Sequence, residues 1–115
     1  MNSISSIDSE LIELLRTELG FSGNASIRQE SALGDKYPIR FDLVIEDDNK
    51  IYVVELKRVV RFESLSQMGF LKLLLSARDV ETGNIQLVIA GKRITPEALE
   101  AAKEIGIRFI KLPAN

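Results

Sequence analysis

Two strand-like runs around one polar turn, between Ile39 and Lys57, fix the register of everything near them. Ile39–Glu46 and Ile51–Lys57 are rich in β-branched and large apolar residues, and Asp47-Asp48-Asn49-Lys50 has turn chemistry. A two-residue loop at Asp48-Asn49 and a four-residue loop at Asp47–Lys50 imply the same pairing, with partner numbers summing to 97. Asp42 then faces Glu55 across the hairpin. Opposed side chains carry Cβ atoms about 5 Å apart, and opposed like charges destabilise. A divalent cation between the two carboxylates removes that penalty. Lys57, two residues after Glu55, shares its face. The spacing therefore predicts a metal site with a lysine at its rim.

Composition narrows the chemistry. The 115 residues include no histidine and no cysteine. Zinc sites built on those ligands, Ser-His triads, thiolate chemistry and histidine acid–base catalysis are excluded. Carboxylates, lysine, tyrosine and hydroxyls remain. The length fits one domain over 1–115, and 45% hydrophobic with 28% charged residues is an ordinary globular composition. A net charge of −2 argues against a uniformly basic nucleic-acid binder, though not against a local basic patch. The lack of cysteine is compatible with a reducing compartment, and a cytoplasmic location is expected, with no signal peptide and no membrane span.

The rest of the chain reads as helices and strands in alternation. Ile7, Leu11, Leu14, Leu15 and Leu19 predict a helix from about Ser6 to Leu19, stopped by Gly20. A short strand is predicted near Ser26–Glu30 and a loop over Ser31–Pro38. In the hairpin, Phe41, Leu43 and Ile45 should share a face with Tyr52, Val54 and Leu56 and meet the main core. The other face turns from apolar to charged toward Asp42 and Glu55. A helix over Ser64–Arg78 buries Leu65, Met68, Leu71, Leu74 and Leu75, and Ile85–Ala90 follows as a strand. Thr95-Pro96-Glu97 starts a helix that ends at Gly106, and Ile107–Leu112 closes the chain as a strand. The order α-β-β-β-α-β-α-β is that of an α/β domain with a mixed central sheet flanked by helices.

Mg²⁺ prefers carboxylate oxygens, retains waters and is completed by substrate phosphates. Asp42 and Glu55 can hold it, helped by the Leu56 carbonyl. Lys57 can hold the attacking water or neutralise charge on a scissile phosphate. Gln67, in the first turn of the second helix near its buried stripe, needs hydrogen-bond partners there. It can orient Lys57, a water or a phosphate, or be a plain helix-surface residue. Arg58, Arg61, Lys92 and Arg93 are exposed charges or phosphate contacts.

Arg40-Phe41-Asp42-Leu43-Val44, Val53-Val54-Glu55-Leu56-Lys57-Arg58 and Ser66-Gln67-Met68 resemble the metal strands and glutamine helix of the PD-(D/E)xK nuclease superfamily, the restriction-endonuclease-like fold. Leu87–Ala90, Ile94–Ala98 and Glu104–Ile107 are similar to the closing strand-helix-strand of the C-terminal nuclease domain of mismatch-specific endonucleases, and Ile27–Glu30 is similar to an earlier strand. Two positions depart: Phe41 replaces the proline of the superfamily name, and Leu71 stands where an aromatic residue often follows the glutamine. The resemblance implies a Mg²⁺-dependent DNA endonuclease, with Mn²⁺ as substitute, catalytic Asp42, Glu55, Lys57 and Gln67, and a place in DNA repair. It also implies an acid from the first helix in the metal shell, with Glu10 the first choice, Glu13 the second, and Glu18 structural. The separate N-terminal domain of those endonucleases has no counterpart in these residues, so mismatch specificity is not carried over. A non-catalytic nuclease-fold module, binding nucleic acid or regulating a larger complex, is the alternative, and a homodimer is a further possibility.

Overall fold

The computed structural model describes residues 9–78 and 83–113. The order is α1 (Ser9–Leu19), β1 (Ser26–Gly34), β2 (Tyr37–Asp47), β3 (Lys50–Val60), a 3-10 turn (Phe62–Leu65), α2 (Ser66–Ala77), β4 (Ile85–Ile94), α3 (Pro96–Ile105) and β5 (Ile107–Lys111). The expected start of the first helix, Ser6–Asp8, lies outside the described residues. The strands form one sheet in sequence order, antiparallel from β1 to β3 and parallel from β3 to β5. α2 and α3 lie in the two crossovers that make the second half parallel. No helix among the described residues is long and apolar enough to cross a membrane.

The β2–β3 register is the expected one: Leu43 pairs with Val54, Val44 with Val53, Ile45 with Tyr52 and Asp47 with Lys50. Asp48 takes φ 55° in the turn, a left-handed conformation that Asp tolerates. Asp47 is held by the Ser22 amide at 2.8 Å and the Ser22 hydroxyl at 2.9 Å. α3 is capped as its sequence requires. The Thr95 hydroxyl accepts from the Ala98 amide at 3.2 Å, and Gly106 ends the helix at φ 90°.

Both faces of the sheet are covered, which explains the unbroken apolar runs in β2, β3 and β4. Leu11, Leu14, Leu15 and Leu19 of α1 pack on Leu43, Ile45, Tyr52, Val54 and Val88. α2 and α3 pack on the opposite face through Met68, Leu71, Leu75, Ala98 and Ala102 against Val53, Leu87, Ile89 and Ile107. The hairpin face expected to meet the main core therefore meets α1, and the larger core lies behind it.

Phe41 corrects a second expectation, because it packs in the α2/α3 core and not beside Leu43. Its neighbours behave alike. Ile27 is on the α1 side, whereas Leu33, of the same parity, is on the α2/α3 side. Leu56 and Val60 differ in the same way, as do Ala90 and Ile94. A bend therefore crosses four strands, marked in β1 by Glu30 at φ 47°. Beyond it the strands curl over α2 and α3. The expected loop at Ser31–Pro38 is instead mostly strand, with its turn at Asp35-Lys36.

Gly91 lies on this bend, paired with Lys57. A Cβ there would stand 2.7 Å from the Lys57 carbonyl oxygen and 2.9 Å from Val60 Cγ2. The first obstacle is backbone and cannot rotate away. Gly91→Ala is therefore expected to cost about 1–3 kcal/mol, the usual range for overpacking, read as a lower urea midpoint at unchanged m-value. An unchanged midpoint would show that β3 and β4 separate there freely.

Candidate metal centre

The last recorded β2–β3 pair before the bend is Leu43 with Val54. One step further the strands diverge, and the next two facing residues are Asp42 and Glu55. Asp42 Oδ2 accepts the Leu56 amide proton at 2.7 Å. A side chain thus takes a β3 amide where the regular ladder has stopped. This ties Asp42 to the strand that carries Glu55, and leaves the rest of its carboxylate for other partners.

Glu55 is the one buried charged side chain among the described residues, at 5% exposure. Its carboxyl is raised from an ordinary value of 4.5 to about 8. Burial is the largest cause, followed by the side-chain hydrogen bond with Asp42 and then by the Asp42 charge. The Lys57 charge and a backbone hydrogen bond from Asp42 oppose the shift. Two carboxyl groups in hydrogen-bond contact need one proton between them. A divalent cation satisfies the same need without the proton, so the donor set fits a hard, oxygen-seeking ion. Two carboxylates suffice for Mg²⁺, which completes its shell with waters and phosphate.

Lys57 is exposed beyond Glu55, and Leu56 between them is half-buried. Gln67 lies in the first turn of α2 and is exposed, whereas Met68, Leu71 and Leu75 are buried. Its amide therefore faces water and has no buried polar group to satisfy, contrary to the sequence expectation. Glu10 is exposed in the first turn of α1. No third Asp or Glu joins Asp42 and Glu55 in a metal-sized group among the described residues. Glu13 pairs with Arg16, and Glu18 reaches Arg108 at 3.3 Å, which fastens α1 to β5.

The parallel register collects cations beside this pair. Lys57, Gly91 and Lys111 form one row across β3, β4 and β5, and Val59 pairs with Arg93. Arg58, Arg61 and Arg93 are exposed, and Lys92 is half-buried. Sequence reasoning missed Lys111. Its position becomes visible only once β5 is known to run parallel to β4, in a register that sets Lys111 opposite Gly91.

No family model and no curated protein matches the sequence. Among solved structures, the chain is similar to a repair endonuclease from Pyrococcus abyssi, with TM-score 0.64 and 21% identity over 93% of this chain and 47% of that one. It is also similar to EndoMS in a complex with dsDNA, with TM-score 0.62 and 19% identity over 93% of this chain and 45% of that one. For EndoMS in its apo form the TM-score is 0.59 and the identity 18%, over 93% and 46% of the two chains. The chain spans about half the length of these structures. The meander of β1 to β3, the two parallel crossovers and the likeness to these nucleases agree, and the chain has the restriction-endonuclease-like fold.

Proposed function

We propose that this chain is a Mg²⁺-dependent endodeoxyribonuclease that hydrolyses phosphodiester bonds at Asp42, Glu55 and Lys57. The observation that carries the reading is the contact between the buried Glu55 carboxyl and Asp42, at a point where two strands diverge beside an exposed lysine. A polar pair in that position weakens the fold, as expected of residues kept for chemistry. When bound, Mg²⁺ supplies a more acidic water and stabilises the charge that develops on the phosphate. Asp42 and Glu55 would hold it, with the Leu56 carbonyl as the nearest backbone donor. Asp42 is positioned by the Leu56 amide. Lys57 neutralises the attacked phosphate or holds the attacking water. Gln67, being exposed, is available to a substrate and not to the core.

Arg58, Arg61, Lys92 and Arg93, with Lys111, supply the positive surface that a phosphate backbone requires, although the chain as a whole is acidic. Alanine at Arg58, Arg61 or Arg93 is expected to reduce the slope of log binding constant against log salt by about 1 each. An unchanged slope would remove that residue from the DNA surface. The reaction is tested on branched, mismatched and single-stranded DNA with Mg²⁺ and with Mn²⁺. Metal-dependent cleavage of any of these supports the reading. No cleavage of any, with DNA binding indifferent to chelator and to Asp42→Asn, would make the chain a non-catalytic binding module.

A further inference from the structure

We propose that Glu30 is a positioning residue for the metal centre: its left-handed backbone turns β1 together with β2 and frees Asp42 to reach across to β3. The β1–β2 pairs run from Ser26 with Glu46 to Ala32 with Arg40, at partner numbers summing to 72. Within that run Glu30 and Asp42 stand opposite each other and do not pair. The β2–β3 pairs stop at Leu43, one residue short of Asp42. Glu30, Asp42 and Glu55 therefore occupy one row across three strands, with Asp42 outside both ladders.

Glu30 has the backbone to produce this. Among the described residues, Glu30 and Asp48 are the non-glycine residues with positive φ, at 47° and 55°. Asp48 is in the hairpin turn, where that conformation is ordinary. Glu30 is in the middle of a strand, where a side chain crowds the backbone at positive φ and nothing local calls for it. Such conformations persist where the surroundings enforce them, and they gather at functional sites. Here β2 braces the turned peptide, because Arg40 Nη1 donates to the Glu30 carbonyl at 3.3 Å.

The turn in β1 is matched to Asp42. Side chains of a regular strand stand away from the sheet. Asp42 instead lies along it, since its Oδ2 accepts from the Leu56 amide at 2.7 Å. That requires β2 to rotate at Asp42, and the change from the α1 core at Leu43 to the α2/α3 core at Phe41 is this rotation. The register is the same on both sides of it, so β1 must rotate equally within the one residue opposite. A left-handed residue does so without an insertion. It also takes Glu30 out of the row. An extended Glu30 would stand beside Asp42 at the strand spacing of about 4.8 Å, adding a third negative charge in line. As built, no third acid joins the pair in a metal-sized group among the described residues.

The test rests on the reading of Asp42 and Glu55 as metal ligands in its Mn²⁺ arm alone. Glycine and asparagine tolerate the left-handed conformation, whereas valine, branched at Cβ, does not. Glu30→Gly and Glu30→Asn are expected to keep the wild-type Mn²⁺ midpoint, read from the rise in Tm. Glu30→Val is expected to raise that midpoint roughly 10–100-fold, the effect of losing a group that orients a metal ligand. Hydrogen exchange at the Leu56 amide needs neither metal nor substrate. Measured against the core amides of β3 and β4, it should stay slow in Glu30→Gly and Glu30→Asn and quicken in Glu30→Val. Should Glu30→Val not fold, Glu30→Ala carries the same comparison, because alanine also disfavours positive φ and adds no bulk. A weakened midpoint in both Glu30→Gly and Glu30→Asn would make the carboxylate the active part and overturn the proposal. So would a wild-type midpoint with slow Leu56 exchange in Glu30→Val and Glu30→Ala. A wild type that binds no Mn²⁺ would end the metal reading, and the Leu56 amide would still decide the role of Glu30.

Discussion

Lys57→Ala is expected to lower kcat/KM for DNA cleavage by roughly 10²–10⁴-fold, the range of a general acid–base or charge-stabilising group, while leaving metal binding intact. Asp42→Asn and Glu55→Gln are expected to lose both. The contrast follows from where the groups sit. Glu55 is buried against Asp42, and no third Asp or Glu joins them in a metal-sized group among the described residues. Lys57 is exposed one row further along β3. Metal binding is read without any substrate, as the rise in Tm on adding Mn²⁺, and cleavage is read on DNA under single turnover. Asp42→Asn carries a further signature. It removes the negative charge that faces Glu55, so at pH 8 it should stabilise the metal-free fold while abolishing cleavage, a trade that sites with opposed charges often show. Full activity in Lys57→Ala would sink the assigned role of the lysine. Undiminished metal-induced stabilisation in both carboxylate variants would sink the metal centre itself.

The hairpin was readable from sequence because local chemistry determined it. The turn at Asp47–Lys50 admits one register, and that register brings Asp42 to Glu55. The caps of α3 were readable for the same reason, since Thr95, Pro96 and Gly106 each act within a few residues of themselves. The error at Ser31–Pro38 has a tertiary cause. Pro38 argues against a central strand, because it offers no amide to a neighbour. β2 is central only from Leu43 onward, where it pairs with both β1 and β3. Pro38 lies where the β1–β2 register shifts, between Tyr37 opposite Gly34 and Arg40 opposite Ala32, and it has no β3 partner, so proline is tolerated. The divergence of β2 from β3 that permits Pro38 also opens the place where Asp42 and Glu55 meet.

The same bend hid part of the site. Alternation along β2 puts Phe41 with Leu43, and nothing local says that the strand changes face between them. Glu30 is an ordinary polar residue in sequence, yet it takes the left-handed conformation in β1. Lys111 was invisible because its relation to Lys57 passes through two parallel pairings across three strands. For Gln67, helical spacing placed the residue beside the buried stripe, but a few tens of degrees around the helix separate a buried amide from a solvated one.

The stability of the metal-free protein should fall as pH rises from about 5 to 8.5. Glu55 is raised to about 8 by its burial and by Asp42, so the folded state keeps a proton that the unfolded chain releases near its ordinary value of 4.5. Stability from that proton is fully present below 4.5 and lost as pH climbs through about 8. The expected loss over that range is on the order of 4 kcal/mol, or about 15 °C in Tm. Glu55→Gln replaces the protonated acid by an amide of the same shape and should flatten that slope. Millimolar Mn²⁺ should restore wild-type stability at pH 8 by about 1–2 kcal/mol, the mass-action gain at a few multiples of Kd. Proton and metal compete for the same oxygens. The Mn²⁺ midpoint should therefore rise nearly tenfold for each pH unit below about 8, as one released proton requires. Equal pH slopes in wild type and Glu55→Gln would mean that Glu55 does not carry the proton. A midpoint independent of pH would mean that the metal binds somewhere other than between Asp42 and Glu55.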